Sequence, residues 1–434
     1  MITIYRWSQT PDEQKRKILA RSAQDIDAFL PQAEAIISRV KLEGDRAIVA
    51  LTREFDGADL SAKGLRVSPA ELEAAGGRLD PAVRDAIDIS YRNIKKFHEC
   101  QLPKSLWMTE IAPGLMGGEK VTSIESCVLY VPRGTAAYPS VMLMLGVPAK
   151  VAGVFRIAVA TPPMPDGNVD DATLYAAHLI GIDEVYRFGG VQAVAAFALG
   201  TETIKPVLKI IGPSNIYASA AKKLLYGKID VGIPAGPSES IILADETSDP
   251  DLVATDLLIE AEHGPYSAAS VVTPSPALAE AVAKAIPAKV KALPQKQQEY
   301  ITRVFSNYGG ILLTDTLEEA VALVNEYAPE HLEVLVKNPF SLLGKLRNAG
   351  EIMLGPCTPI SLCNYSLGVN AILPTGGWAK TASVLTVNDF LKRTSVSYAT
   401  KEGYDNLRFS VAAFADFEGF PAHAAAVRKE RNDG

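Results

Sequence analysis

Cysteine is scarce in this 434-residue chain, and its placement argues against a disulfide framework. The cysteines lie in no CxxC pattern. The sequence instead predicts reduced thiols in the cytoplasm, where they serve as small buried hydrophobes. The four cysteines are Cys100, Cys127, Cys357 and Cys363.

An excess of positive charge is also missing. Charged residues make up 21% of the chain, and the formal net charge is −7 at pH 7. Such a chain has no electrostatic field to attract nucleic acid or an anionic membrane surface. The expected partner is therefore a small molecule.

No apolar run is long enough to enter a membrane. The opening "MITIYRWSQTPDEQKRK" has no apolar core behind a basic stretch, which argues against a secretory signal. The most apolar region, "YPSVMLMLGVPAKVAGVFRIAVATPP", is interrupted by Pro148, Lys150 and Arg156. We predict no transmembrane segment and a cytoplasmic location.

Apolar residues, at 48%, are sufficient for a large core, and their spacing changes along the chain. Up to about residue 120 they recur at helical intervals, and Asp80 and Pro81 are typical of the cap and first turn of a helix. From Ser126 onward, short β-rich runs alternate with helical stretches. That alternation predicts parallel strands joined by right-handed crossovers.

The predicted fold class is α/β, with two tandem Rossmann-like parallel-sheet domains. Their bounds are 126–237 and 238–388, preceded by a helical N-terminal arm over 1–125 and followed by a small helical segment over 389–434. Tandem sheets of this kind form a crevice, and ligands are expected beyond the carboxyl ends of the strands. No GxGxxG with a following acidic residue is present, so the standard dinucleotide fingerprint is absent.

The stretch "NEYAPEHLEVLV" places Glu330 beside His331 in a chain with five histidines. Histidine exchanges a proton near neutral pH, and a neighbouring carboxylate can orient it or act as a second base. The alternative interpretation is a solvated surface pair at the start of a strand.

Two further stretches carry possible ligands. In "LLIEAEHGPYS", Glu260 and His263 are three residues apart at the end of a predicted helix, where one face could hold a metal ion. The alternative is a helix-end pair that faces water. In "FEGFPAH", Glu418 precedes His423, and the alternative there is a surface helix cap.

Taken together, these stretches resemble the histidinol dehydrogenase family in the same order over nearly the full chain. The resemblance depends on "LYVPRGTAAYPSVMLM", "FGGVQAVAAFALGT", "IGPSNIYASAAKK", "IPAGPSES", "EAEHGP", "APEHLEV", "GVNAILPT" and "EGFPAH". It implies an NAD-dependent, zinc-dependent alcohol dehydrogenase that converts a primary alcohol through an aldehyde to an acid, and that works as a homodimer.

The resemblance also implies residue roles. His331 would take the alcohol proton, and Glu330 would activate water in the second oxidation, both within the unit 238–388. The coenzyme would contact residues in the unit 126–237, namely Tyr130, Gln192 and Asn215. The substrate would contact Ser238, Glu260, His263, His331, Asn364, Glu418 and His423.

The zinc ligands implied by the resemblance differ in kind from the family set. The family uses Gln, His, Asp and His, whereas the matching positions here are Glu260, His263, Asn364 and His423. The acid and the amide have exchanged places, so the total charge of the ligands is kept. We expect zinc to be retained; the alternative is separate drift of the two positions and loss of the metal.

Other departures concern recognition of ligands. Arg133 stands where the family has glycine, Ser214 stands in "GPSN", and Ala371 replaces a histidine that lies near the family's substrate. Glu418, which faces the substrate's amino group in the family, is retained. The expected substrate is therefore a small polar alcohol other than histidinol. The alternatives are true L-histidinol oxidation and a metal-poor relative that binds a metabolite without turning it over.

Overall fold

The computed structural model describes residues 2–22, 26–133, 137–233 and 236–431. Its first part is mostly helical, as predicted, and Asp80 accepts a hydrogen bond from the Ala82 amide at the start of the helix opened by Pro81. The helices of this part are α1 (Asp12–Ala20), α2 (Leu30–Glu43), α3 (Asp45–Asp56), α4 (Pro69–Ala75) and α5 (Pro81–Glu99).

The predicted helical arm also contains strands, which the sequence pattern did not indicate. These are β1 (Ile4–Arg6), β2 (Leu106–Ala112) and β3 (Leu115–Ser123). The hairpin of β2 and β3 turns at Gly114, whose φ of 74° favours glycine. Every residue of β2 is at least partly exposed, so no alternation of buried and exposed positions marks it as a strand.

A four-stranded parallel sheet follows, in the order β6-β5-β4-β7. Helices pack on both of its faces, which explains why its strands are continuous apolar runs. The elements are β4 (Ser126–Tyr130), α6 (Pro139–Val151), β5 (Arg156–Ala160), α7 (Asp171–Ile180), β6 (Glu184–Tyr186), α8 (Gly190–Leu199), β7 (Lys209–Ile211) and α9 (Ile216–Leu225).

The second parallel sheet has six strands in the order β1-β10-β9-β8-β11-β12, so the N-terminal β1 forms one of its edges. Two buried apolar clusters cover its faces. Its elements are β8 (Glu239–Ala244), α10 (Pro250–Ala261), β9 (Ala268–Thr273), α11 (Pro276–Lys291), α12 (Gln295–Asn307), β10 (Gly310–Leu313), α13 (Leu317–Tyr327), β11 (His331–Leu335), β12 (Glu351–Leu354) and α14 (Ile360–Tyr365).

The segment after α14 joins the two sheet layers. Asn370 donates a hydrogen bond to the Met144 carbonyl of α6 (2.7 Å), and the Thr375 hydroxyl accepts one from the Gly236 amide (2.6 Å) before β8. The chain therefore crosses from the first core to the second beside the start of β8.

The C-terminal part was predicted to be helical, and it contains β13 (Leu391–Ala399) as well as α15 (Lys401–Phe417) and α16 (Pro421–Arg428). Strand β13 pairs antiparallel with β3, which pairs with β2. We call this sheet with α15 and α16 the arm sheet unit. No helix in the described part of the chain is both long and apolar enough to cross a membrane.

Candidate active site

The predicted catalytic pair lies at the amino end of β11, where the chain leaves α13. Ala328 adopts a left-handed conformation (φ 54°) at the end of the helix, and His331 begins the strand. The side chains of Glu330 and His331 are only 11% and 4% exposed. The interpretation as a solvated surface pair is therefore wrong.

The predicted metal-binding residues Glu260 and His263 lie beside this pair. Because α10 runs back along the sheet after β8, its last turn returns to the amino ends of the strands. Glu260 Oε1 is 3.9 Å from His331 Nε2, and Glu260 Oε2 is 2.7 Å from His263 Nδ1. The carboxyl ends of the strands, where ligands were expected, are at the opposite edge of this sheet.

Asn364 and Ser238 complete the group. Asn364 Nδ2 donates a hydrogen bond to Glu260 Oε1 (3.2 Å), and Ser238 Oγ lies 3.1 Å from His263 Nδ1. Helix α14 brings Asn364 to the site, and the residue before β8 brings Ser238. Five of the predicted substrate contacts therefore meet in one place, namely Ser238, Glu260, His263, His331 and Asn364.

Charge in this cluster is strongly coupled. Burial alone would raise the pKa of Glu260, but the imidazolium groups of His263 and His331 outweigh it and lower that pKa to about 2. Burial would lower the pKa of His331, but Glu260 and Glu351 raise it to about 9. Burial raises the pKa of Glu330 to about 8, against the opposing effect of His331. Glu330 and His331 thus titrate at mildly alkaline pH.

The donors present fit a divalent metal ion in part. Glu260 is fully buried, and its Oε2 contacts His263 Nδ1 at 2.7 Å without a hydrogen bond of standard geometry. An imidazole and an amide stand next to it, and this mixture of nitrogen and oxygen donors suits zinc. Within the described residues, however, no three His, Cys, Asp or Glu side chains are placed to hold a metal ion. The fourth donor that the resemblance implies is not among the neighbours of Glu260.

That missing donor, His423, lies elsewhere in the same chain. Both His423 and Glu418 are exposed on the arm sheet unit, where the His423 ring packs against Phe420 with 5.3 Å between the ring centroids. No contact joins them to Glu260 or His331 within one chain. In the isolated chain Glu418 is the C-cap residue of α15, whereas His423 lies within the first turn of α16 and does not cap it.

The predicted coenzyme residues meet at the carboxyl edge of the four-stranded sheet. Tyr130 ends β4, Gln192 lies in the first turn of α8, and Asn215 caps α9 by accepting a hydrogen bond from Ala218 N (3.0 Å). The Tyr130 hydroxyl accepts a hydrogen bond from Gly190 N (2.9 Å). Gln192 Oε1 is buried without a partner, which leaves an acceptor for a ligand at this edge.

The structure shows the contacts of the three residues that differ from the family's residues near the ligands. Arg133 follows β4 and donates a hydrogen bond to the Pro163 carbonyl (3.3 Å). Burial raises the pKa of Asp56, the charge of Arg133 lowers it, and the net pKa is about 6. The rest of the turn that contains Arg133 lies outside the described residues. Ser214 shares a hydrogen bond with Ser219 (3.1 Å), and Ala371 packs against the core of the first sheet.

Three residues that the sequence did not single out touch the site. Glu239 donates its backbone N–H to Glu330 Oε2 (2.9 Å), and Arg21 forms a buried ion pair with the Glu239 carboxylate. Glu351 lies 3.2 Å from His331. Glu239 follows Ser238 in the motif "IPAGPSES", so the sequence could have indicated it. Arg21 and Glu351 lie in segments where no motif was found.

Two parallel sheets with a buried, titratable acid and histidine cluster at strand ends define an α/β enzyme. The family model described as histidinol dehydrogenase matches residues 19–431. The chain is 49% identical to histidinol dehydrogenase of Synechocystis sp., with 100% of both chains covered. It is 46% identical to a histidinol dehydrogenase homolog of Rhizobium meliloti, with 99% and 95% covered.

A solved structure agrees with these sequences. The crystal structure of histidinol dehydrogenase from Elizabethkingia anophelis matches with a TM-score of 0.92 and 33% identity over 98% of this chain and 97% of that one. The chain belongs to the histidinol dehydrogenase family, and it is an oxidoreductase with the predicted α/β fold.

The expected substrate requires a correction. Relatives that are 44–49% identical over 91–100% of the chain are named histidinol dehydrogenase. These names contradict the expectation of a polar alcohol other than histidinol. That expectation gave most weight to Ala371, one position among many, and the alternative is the better supported reading.

Proposed function

We propose that this protein oxidises L-histidinol to L-histidine with NAD, in two successive hydride transfers. The observation that carries the proposal is the buried pair Glu330 and His331, in which His331 Nε2 lies 3.9 Å from Glu330 Oε1 and 3.9 Å from Glu260 Oε1. The pKa of Glu330 is raised to about 8 and that of His331 to about 9, so both buried groups exchange protons at mildly alkaline pH, where they are suited to general acid–base chemistry.

The proposed roles follow from that geometry. His331 accepts the hydroxyl proton of the alcohol as hydride leaves the same carbon, giving the aldehyde. Glu330 then takes a proton from water as it adds to the aldehyde carbon, and the second hydride leaves to give the carboxylate. The Glu239 amide holds Glu330 Oε2 (2.9 Å), which leaves Oε1 directed to His331.

Glu260, His263 and Asn364 would hold zinc, together with the partner subunit's His423. When bound, zinc acts as a Lewis acid that polarises the substrate oxygen. Glu260 brings the only carboxylate of this set, and its Oε2 lies 2.7 Å from His263 Nδ1, so two of the proposed ligands are already adjacent. Ser238, beside His263, would contact the substrate.

The coenzyme would bind at the unit 126–237, and catalysis would occur in the unit 238–388. Tyr130, Gln192 and Asn215 support this division because they share the carboxyl edge of one sheet, where dinucleotides bind in related architectures.

A homodimer would bring the remaining residues to the site. The arm sheet unit exposes many large apolar side chains, which soluble chains normally cover. These are Leu106, Trp107, Met108, Ile111, Tyr398, Leu407, Phe409, Val411, Phe414, Phe417 and Phe420. Packing of this surface on a second copy would let the partner subunit's Glu418 contact the substrate's amino group.

The proposal is tested by incubating the zinc-loaded protein with L-histidinol and NAD. We expect two NADH formed per L-histidinol consumed, and L-histidine as the product by mass spectrometry. Absence of NADH under these conditions, while another polar alcohol is oxidised, would refute histidinol as the substrate.

A further inference from the structure

A carboxylate on the neighbouring strand contacts the proposed base from the side opposite the cluster. Strands β11 and β12 are parallel, and their register sets Glu351 directly beside His331. Side chains in such a pair project from the same face of the sheet. Glu351 Oε2 lies 3.2 Å from His331 Nδ1, and the two side chains are 9% and 4% exposed.

The two ring nitrogens of His331 therefore have different surroundings. Nε2 faces the site, 3.9 Å from Glu260 Oε1 and 3.9 Å from Glu330 Oε1, whereas Nδ1 faces Glu351. A hydrogen bond in which the Glu351 carboxylate is the acceptor requires the hydrogen on Nδ1. In the neutral ring, the lone pair is then on Nε2.

Glu351 is held in place by a backbone hydrogen bond, and no second cation in the described part of the chain competes with His331 for its carboxylate. Its amide donates to the Glu330 carbonyl (2.9 Å), which ties the start of β12 to the catalytic pair. Among the described residues no Lys or Arg forms an ion pair with it, and its ionic contact is with His331. Burial and then the Glu351 carboxylate raise the pKa of the neighbouring Cys363 thiol, which precedes Asn364.

We propose that Glu351 is a positioning residue, which fixes the ring orientation and the Nδ1–H tautomer of His331 so that Nε2 is presented to the substrate hydroxyl. The inference rests on the proposed function, in which His331 is the base for the alcohol. Glu351 touches neither substrate nor coenzyme, and it acts through the imidazole alone.

The first experiment compares the two half-reactions. Glu351→Met keeps the side-chain length and removes the acceptor. We expect kcat for L-histidinol to fall by about 10–100-fold, as for loss of an orienting partner of histidine, while oxidation of supplied histidinal falls by much less. Glu351→Asp should restore part of the loss. Glu326→Met, at an exposed carboxylate of α13, is the matched control and should have no effect.

The second experiment separates positioning from general damage. In a His331→Ala background, Glu351→Met should lower alcohol oxidation no further, because the group through which it acts is gone. Equal losses in both half-reactions, or a full additional loss in the His331→Ala background, would overturn the proposal.

A third measurement does not depend on the substrate. Nitrogen-15 NMR of histidine rings, with His331 assigned by its absence in His331→Ala, should show Nδ1–H at a pH where the ring is neutral, and loss of that preference in Glu351→Met. If the wild type fails to oxidise L-histidinol, the proposed function fails while this spectrum still tests Glu351. An Nε2–H ring in the wild type would overturn the inference.

Discussion

Glu330 is an acid kept almost entirely out of water without a Lys or Arg partner among the described residues. Its neighbours are the imidazole of His331 and the Glu239 amide, and the Glu260 carboxylate opposes its ionisation. Burial raises its pKa to about 8, so the carboxyl is largely protonated at pH 7 and ionises as pH rises through mildly alkaline values. That property is useful in a general base and costly in a purely structural residue.

At the residue scale, we predict that His331→Ala and Glu330→Gln impair different steps. His331→Ala should slow alcohol oxidation by roughly a hundredfold or more, the usual effect of losing a positioned base. Glu330→Gln should mainly slow oxidation of supplied histidinal, because water is no longer activated. Stopped-flow measurement of NADH formation from histidinol and from histidinal distinguishes the steps. Equal losses of both activities in both variants would contradict separate roles.

The exchange of acid and amide gives a second prediction, on metal content. Glu260→Gln leaves no carboxylate in the proposed zinc set and should lower the zinc bound per chain after dialysis. Adding Asn364→Asp supplies a carboxylate at the position that now donates to Glu260 (3.2 Å). The double variant should therefore regain zinc, a non-additivity expected only for residues that share one site.

Plasma mass spectrometry of the purified proteins measures this directly. If the double variant holds no more zinc than Glu260→Gln, the two residues do not share a metal ion. Glu262→Gln is the matched control, since this exposed carboxylate lies between Glu260 and His263 in sequence and should leave zinc content unchanged.

At the element scale, local signals predicted helices and central strands well. Asp80 and Pro81 start α5 because cap and ring geometry act within one turn. Buried strands such as β8 are continuous apolar runs, which the sequence displays. The strands β2, β3 and β13 were not predicted. Strand β13 pairs with β3 across more than 260 residues, and the side chains of these strands do not alternate between buried and exposed positions.

Helix α10 and strand β11 hold a second pair of acids beneath the site. Glu333 is fully buried, and neither of its carboxyl oxygens accepts a hydrogen bond in the described structure. Burial and the neighbouring Asp256 raise the pKa of Glu333 to about 9. The folded protein therefore retains a proton that the unfolded chain releases at much lower pH.

We predict that this pair makes the folded state less stable as pH rises. A raised pKa contributes stability below the unfolded value, near 4.5, and that contribution is lost as pH approaches about 9. Glu333→Gln needs no such proton. Its unfolding free energy relative to wild type should rise by at least about 1 kcal/mol between about pH 5 and about pH 8.5, since one unit of pKa corresponds to about 1.4 kcal/mol.

Urea denaturation at several pH values measures the difference. Glu326→Gln, an exposed acid on α13, is the control and should track the wild type. A Glu333→Gln difference that stays constant with pH would show that the wild-type carboxyl is ionised in the folded state, against the prediction.

At the scale of the whole molecule, the site depends on contacts that no local pattern contains. Arg21 stacks on the Tyr327 ring with 3.7 Å to its centroid and pairs with Glu239, so the start of the chain supports the loop before Glu330. Glu351 meets His331 only because β12 lies next to β11. Motifs that resemble those of a family predicted which residues form the site. The residues that contact and position them could be identified only from the fold.

The separation of Glu418 and His423 from the other site residues has a consequence for assembly. One chain alone leaves them exposed among apolar side chains, with no hydrogen bond or ion pair to Glu260. If that surface packs on a second copy, each site draws residues from two subunits. Two inactive variants altered in different parts of one site can then complement each other.

We predict that mixed dimers of His331→Ala and His423→Ala recover activity, although each homodimer is inactive. In the mixed dimer, the His423→Ala subunit keeps His331 and receives the partner subunit's His423, so one of two sites is intact and activity should reach about half of wild type.

The subunits carry different affinity tags, are co-expressed and are purified through both. The control mixes His331→Ala with Glu330→Gln, and it should form little L-histidine from L-histidinol, because these residues lie side by side in one chain and neither site then has both. Light scattering should give a dimer mass for the wild type and a monomer for Phe414→Asp, which charges the exposed apolar surface. A fully active monomer, or a mixed dimer of His331→Ala and His423→Ala without activity, would mean that His423 does not complete the site across subunits.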